Sequence, residues 1–280
     1  MENTKSVLAE IVASKQKEIV ERKALYPTAL LERSLFFNSA PVSLKKYILR
    51  MELNGIIAEF KKKSPSRGVI NGTADVAVVT LGYMQAGASA LSILTDTPYF
   101  GGKSSDLESA RKINYCPILR KDFIIDEYQV IESKSIGADA ILLIGAALSG
   151  EQTKRLSSLA FSLGMEVLFE MHDEVEMEYY QDEFLAGINS RSLHDFIVSL
   201  DRAEKLCGLL PNSAVKIAES GITSPQDVVR MRKAGFDGFL IGEEFMKHFN
   251  PGKACGKFIG ELNFLTSEGL VIDETKLELI

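Results

Sequence analysis

The sequence predicts an α/β fold: a single (β/α)8 TIM barrel with an N-terminal helical extension. Three observations carry that expectation. From Gly55 onward, short apolar runs alternate with amphipathic stretches, the pattern of a parallel sheet covered by helices. There are eight such units, which favours a closed barrel over an open doubly wound sheet. The length of 280 residues could hold two domains, yet α/β barrels of about 200–250 residues commonly form one.

The elements follow in order. Residues 1–54 read as the helical extension, with Val7, Leu8, Ile11, Val12, Ile19 and Val20 near helical spacing among charged neighbours. Pro27 and Pro41 punctuate it, and 44–49 suits a further short helix. The strand-like runs are 56–60, 90–94, 117–119, 140–144, 166–169, 185–188, 215–218 and 238–241. Helix-like stretches lie near 75–87, 105–113, 126–137, 151–163, 173–181, 195–209 and 225–234, with another after 251. Gly87, Gly137, Gly164 and Gly235 stand where helix C-caps belong. The barrel is expected over 55–262, followed by a C-terminal tail at 263–280.

Composition narrows the function. With 46% hydrophobic residues the chain can build a core and is not of the disordered class. Its best apolar run, Ala140 to Leu148, is about half a membrane span. The start, Met1-Glu2-Asn3-Thr4-Lys5-Ser6, lacks the basic and apolar regions of a secretory signal. A net charge of −6 weighs against non-specific nucleic-acid binding. Cys116, Cys207 and Cys255 form neither a disulfide framework nor a zinc pattern, and His172, His194 and His248 have no metal-ligand spacing. The expectation is a cytoplasmic protein without a metal site, binding neither nucleic acid nor membrane.

In such barrels chemistry sits at the C-terminal ends of the strands. Strand one ends in Glu59 and Lys61, two apart and so on one face. Strand three ends in Lys121, strand five in Glu170, and strand six in Asn189 and Arg191. Strand seven ends in Glu219-Ser220 and strand eight in Gly242-Glu243. Each has a bland alternative: Lys61-Lys62-Lys63 as a solvated charge run, Lys121 or Glu170 in a rim salt bridge, Asn189 and Arg191 as loop caps. Six strands sharing the arrangement favour a site, because buried charges cost several kcal/mol per ion unless paired or serving a ligand. Glu219-Ser220-Gly221-Ile222 and Ile241-Gly242-Glu243-Glu244 bring glycines to the two loops where barrels often hold phosphate, although ordinary tight turns would look the same. Ser64-Pro65-Ser66-Arg67-Gly68 adds hydroxyl and cationic donors nearby. Gly101-Gly102-Lys103-Ser104 mimics the end of a P-loop, but Thr97 occupies the position of the first glycine.

Together these motifs resemble the indole-3-glycerol phosphate synthase family. They comprise Ile57-Ala58-Glu59-Phe60-Lys61-Lys62-Lys63-Ser64-Pro65-Ser66, Leu119-Arg120-Lys121-Asp122-Phe123-Ile124 and Glu166-Val167-Leu168-Phe169-Glu170-Met171-His172. Gly187-Ile188-Asn189-Ser190-Arg191, Glu219-Ser220-Gly221-Ile222 and Leu240-Ile241-Gly242-Glu243 complete the series in the family's order. The chain departs at Ser190 and Ser192, where the family has Asn and Asp, and at Lys103, where it usually has Ser.

The resemblance implies closure of the pyrrole ring of an anthranilate joined through nitrogen to deoxyribulose 5-phosphate, with loss of carbon dioxide and then water. It implies no organic cofactor and no metal. By the same resemblance Lys121 is the general acid, its pKa expected to fall through burial beside Lys61. Glu170 is the base, aided if desolvation raises its pKa, and Lys61 holds the substrate carboxylate and serves the dehydration. Glu59, Asn189, Arg191, Glu219 and Ser220 orient substrate and lysines. Ser64, Gly221, Gly242 and Glu243 cradle the phosphate, and Phe100 and Phe123 wall the aromatic ring. The expected partner is this phosphorylated small molecule, and the expected state a monomer, with a homodimer as the alternative. The competing readings are another phosphosugar barrel enzyme, such as phosphoribosylanthranilate isomerase, and a non-catalytic barrel.

Overall fold

Eight parallel strands close on themselves in the computed structural model, which describes residues 7–192 and 197–268. They are β1 (Ile56–Phe60), β2 (Ala90–Leu94), β3 (Ile118–Lys121), β4 (Ala140–Ile144), β5 (Glu166–Met171), β6 (Leu185–Asn189), β7 (Val215–Glu219) and β8 (Gly238–Ile241). Each pairs with its sequence neighbours, and β8 pairs back onto β1. Four strands have the bounds expected from apolar runs alone. The others, β3, β5, β6 and β7, run one or two residues further, so Lys121, Glu170, Asn189 and Glu219 lie inside the strands. The ladder carries them, with Leu94 opposite Lys121 and Asn189 opposite Glu219.

Side-chain alternation then sets the interior. Ile57, Leu119, Leu168 and Ile217 share one buried cluster inside the barrel. Two residues further along the same four strands stand Glu59, Lys121, Glu170 and Glu219. Alternate strands of such barrels contribute four side chains per layer. Here an apolar layer supports a charged one. Leu44 and Ile48, from the short Leu44–Ile48 helix, belong to the same interior cluster and close its opposite end, with Ile48 packed on Gly238 at the start of β8.

The outer helices are Val76–Gln85, Ser104–Ile113, Glu127–Ser135, Gly150–Ser162, Leu200–Cys207, Pro225–Lys233 and Pro251–Glu268. Asp75, Asp126, Ser149, Ser199 and Ser224 cap five of them with side-chain acceptors. Lys103, at the family's usual Ser position, caps its helix with no side-chain bond. The 173–181 stretch is a 3-10 segment, Glu174–Tyr179, rather than an α-helix. Gly87, Gly137, Gly164 and Gly235 take positive φ just past their helices, as caps do. The P-loop mimic also resolves. Gly101 ends the Thr97–Phe100 turn at φ 69°, and Gly102 presses against the end of β2 where a side chain would overlap the Leu94 carbonyl.

One boundary needs correction. The last helix continues to Glu268, past the limit of 262, because no proline or glycine interrupts 263–268. Residues 269–280, the rest of the expected tail, lie outside the described residues, as do His194 and the start of the 195–209 stretch.

Helix α1 (Val7–Leu25) lies over the mouth end of β2 and β3. Its Lys15, only 2% exposed, places Nζ 2.9 Å from Asp96 Oδ1 and 3.0 Å from Asp122 Oδ1. Asp122 also pairs with Arg120, Arg120 with Glu132, and Glu132 with Arg22 further along α1. A continuous buried ion network thus pins the helix at two points. No helix among the described residues is long and apolar enough to cross a membrane.

Candidate active site

All fourteen site residues expected from the sequence line one cavity of about 410 Å³ at the C-terminal mouth of the barrel. That volume is in the range of small-molecule sites. Val7, Leu8 and Ile11 of α1 supply part of its wall, a role their helical spacing could not reveal.

At its centre the Lys121 ammonium is held between two carboxylates. It bonds Glu170 Oε2 at 2.6 Å and also bonds Glu219 Oε2. Beside it Lys61 pairs with Glu59 at 2.8 Å. The neighbouring lysines have other tasks: Lys62 faces Asp106, and Lys63 donates to the Pro98 carbonyl. Only the lysine in phase with Glu59 reaches the cavity. Asn189 Nδ2 donates to Glu170 Oε1 at 3.0 Å, and its own oxygen accepts from the Arg191 N–H at 3.0 Å.

This geometry reverses two expectations. Burial alone would weaken the Lys121 charge, but Glu170, Glu219 and Glu59 outweigh it and raise the pKa. Lys121 is surrounded by carboxylates, not set against Lys61. Desolvation likewise pushes Glu170 upward, yet Lys121 and His172 hold it well below the usual carboxylate range. Glu219 is the acid that rises. Desolvation, with repulsion from Glu170 and Glu59, pushes it to about 7 against the pull of Lys121. Its Oε1 is buried without a hydrogen-bond partner.

Two glycines make room for these carboxylates. A Cβ at Gly187 would overlap Glu219 Oε1, and one at Gly242 would overlap Glu59 Oε1. Gly242 was expected at the phosphate loop; Gly187 appeared in a motif without a role. Period-two alternation below Asn189 would have aimed it inward.

The two loops after β7 and β8 form the rim. Ser220, not a glycine, takes φ 65°, followed by Gly221 at φ 78°. A non-glycine residue there is strained, and such strain gathers at functional sites. The Ser190 hydroxyl lies 2.7 Å from the carbonyls of both Glu219 and Ser220 and so anchors the turn. The family departure at Ser190 therefore leaves the turn supported. Glu243 directs its carboxylate to Arg67 Nε at 2.9 Å and lies 3.9 Å from Arg191, so only its backbone N–H suits an anion. Ser64 faces the same rim. Phe100 and Phe123, with centroids 6.1 Å apart and planes at 40°, form one continuous wall rather than two faces of a slot.

Comparison with known proteins gives the arrangement a context. The family model described as indole-3-glycerol phosphate synthase matches residues 8–258. An indole-3-glycerol phosphate synthase of Bacteroides thetaiotaomicron is 44% identical over 256 residues, covering 91% of this chain and 98% of its own. That of Polaromonas naphthalenivorans is 43% identical over 260 residues, covering 91% and 99%. Among solved structures, tryptophan synthase subunit alpha from Legionella pneumophila superposes with a TM-score of 0.59 at 12% identity, covering 80% of this chain and 98% of that one. A tryptophan synthase alpha-subunit mutant from Pyrococcus furiosus gives 0.57 at 15% identity, covering 76% and 100%. At that identity the structures speak for the barrel alone. The family model and the full-length relatives go further: the chain belongs to the indole-3-glycerol phosphate synthase family.

Proposed function

We propose that the charged layer at the barrel mouth carries out the ring-closing decarboxylation and dehydration that yields indole-3-glycerol phosphate. The observation that carries this is the Lys121 ammonium between Glu170 and Glu219, with the Lys61–Glu59 pair alongside. The chain is a carbon–carbon lyase of tryptophan biosynthesis acting on a phosphorylated small molecule.

The phosphate takes the rim, met by Ser64 and by the backbone at Gly221, Gly242 and Glu243. Lys61 receives the anthranilate carboxylate, Arg191 and Ser220 orient the substrate, and Phe100 and Phe123 cover the aromatic ring. The ring carbon attacks the ketose carbonyl while Lys121 protonates its oxygen. The flanking carboxylates hold this proton tightly, so it passes only to the strongly basic oxygen that develops in the attack; Glu219, whose pKa burial raises and which touches the same ammonium, can then return a proton to Lys121. Carbon dioxide departs from the carboxylate-bearing ring carbon. Lys61, held by Glu59, assists the hydroxyl that leaves as water. Glu170, ionised and fixed by Asn189, removes the last ring proton. Every charged group used comes from one chain, so a single copy holds a complete set; we take the monomer as the acting unit, and the cytoplasm as the compartment that suits such a biosynthetic step.

The test is conversion of the anthranilate-linked deoxyribulose 5-phosphate by purified chain, following carbon dioxide and indole-3-glycerol phosphate together. The two should appear in equal amounts. Folded protein releasing neither would overturn the reading.

A further inference from the structure

His172 is a buried titratable group that this mechanism leaves without a task. It follows β5, two residues beyond Glu170 and on the same face, and is 3% exposed. Its imidazole lies between two carboxylates. Nε2 is 3.2 Å from Glu170 Oε1, and Nδ1 is 3.6 Å from Glu176 Oε2. Glu176 belongs to the Glu174–Tyr179 segment, and the same Oε2 accepts the His172 backbone N–H at 2.6 Å. The end of β5 is thereby tied to the segment that follows it. A side chain at Gly145 would crowd Glu176, whose Cβ is 3.0 Å from that position.

Imidazole chemistry restricts what such a flank allows. A neutral ring donates from one nitrogen and presents a lone pair from the other. Between two carboxylates that lone pair would always face negative charge. Only the imidazolium offers a proton to both sides. Around Lys121 the carboxylates Glu59, Glu170 and Glu219 outnumber the lysines Lys61 and Lys121, and Glu176 adds a further carboxylate at His172, so negative charge flanks the ring on both sides. Burial opposes the charge on His172, but the two carboxylates override it and raise the pKa to about 9.

We propose that His172, kept as an imidazolium by Glu176, is a positioning residue that holds Glu170 ionised and fixes its Oε1. That oxygen then accepts a hydrogen bond from Asn189 on one side and lies in charge-pair contact with His172, 3.2 Å away, on the other, while Oε2 faces Lys121. The inference rests on the reading of Glu170 as the base. Glu170 is faced by Lys121 from β3, Asn189 from β6 and Glu219 from β7, with Glu59 of β1 acting on the same Lys121; His172 is faced by Glu170 and Glu176. Removing the imidazolium removes a cation from beside Glu170 and raises its proton affinity. The acidic limb of the rate profile must then move toward higher pH.

The experiment measures kcat against pH for wild type, His172→Gln, Glu176→Gln and Glu170→Gln, with NMR titration of the His172 imidazole in the full chain. His172→Gln should move the acidic limb up by about one pH unit or more, with activity recovering on the alkaline side. Glu176→Gln changes a residue nearer the surface and leaves the histidine in place. It should move the limb the same way by less, and lower the imidazole midpoint. Limbs that superimpose on wild type, or a uniform loss at every pH, would assign His172 a packing role and overturn the inference. So would a neutral imidazole at pH 7. Glu170→Gln separates the two readings: if it is inactive while the limbs stay fixed, only the role of His172 falls. If it turns over like wild type, Glu170 is not the base and both fall.

Discussion

At the scale of single residues the site is decided by what stands beside Lys121. A buried lysine by itself loses its proton readily, but here three acids surround it and its charge is held. The same crowding leaves Glu219 as the acid with the raised pKa, through burial and the repulsion of its neighbours, while Lys121 and His172 hold Glu170 charged. Space matters as much as charge. Gly187→Ala would push Glu219 away from Lys121 while leaving the backbone ladder intact. The expected result is a fall in kcat of about 100-fold, the cost of roughly 1 Å of misplacement, together with a lower melting temperature because the added methyl also crowds Leu168 and the Phe169 carbonyl. Unchanged kcat would show that Glu219 tolerates displacement. Such a role was hard to read from sequence, since a glycine in a strand usually signals a bulge or close packing.

At the scale of elements, α1 depends on a lysine whose charge argues for solvent although its spacing does not. Lys15 stands four residues from Ile11 and from Ile19 on their buried face, so helical periodicity points it inward, and only its ammonium argues against burial. Its partners Asp96 and Asp122 are distant in the sequence and meet it only through the fold. Lys15→Met should destabilise the protein by about 3–5 kcal/mol in urea unfolding, since it strands two buried carboxylates. A loss below about 1 kcal/mol would mean that Arg120 and Thr95 suffice for Asp122. The network also predicts an acid dependence. Burial would raise the Asp122 pKa, but Arg120 and Lys15 lower it from its ordinary 3.8 to about 2. The stabilisation is therefore present above about pH 4 and is lost as pH falls toward 2, amounting to about 2 kcal/mol. Equilibrium unfolding of wild type and Asp122→Asn across that window checks it: the two should converge as the pH falls.

For the whole molecule, the fold was legible because barrel strands buried on both faces write themselves as apolar runs. The charged layer was legible too, since each member ends such a run two residues after an apolar inward position. What escaped was reach. Period-two spacing could have flagged His172, but a lone histidine at a strand end is usually packing, and only its two flanking carboxylates give it meaning. The global charge of −6 repels a substrate that carries a carboxylate and a phosphate, while the individual cations Lys61, Lys121, Arg67 and Arg191 at the mouth attract it locally. If Lys61, Lys121, Arg67 and Arg191 dominate, raising ionic strength should lower kcat/KM and leave kcat nearly constant. A rise with salt would mean that the overall charge governs encounter. The most direct test of the central claim is turnover of the anthranilate-linked deoxyribulose 5-phosphate by wild type beside Lys121→Met. Wild type should form indole-3-glycerol phosphate, and the variant should lose about 10²–10⁴-fold in kcat while still binding the product. A folded Lys121→Met enzyme turning over near the wild-type rate would contradict the account.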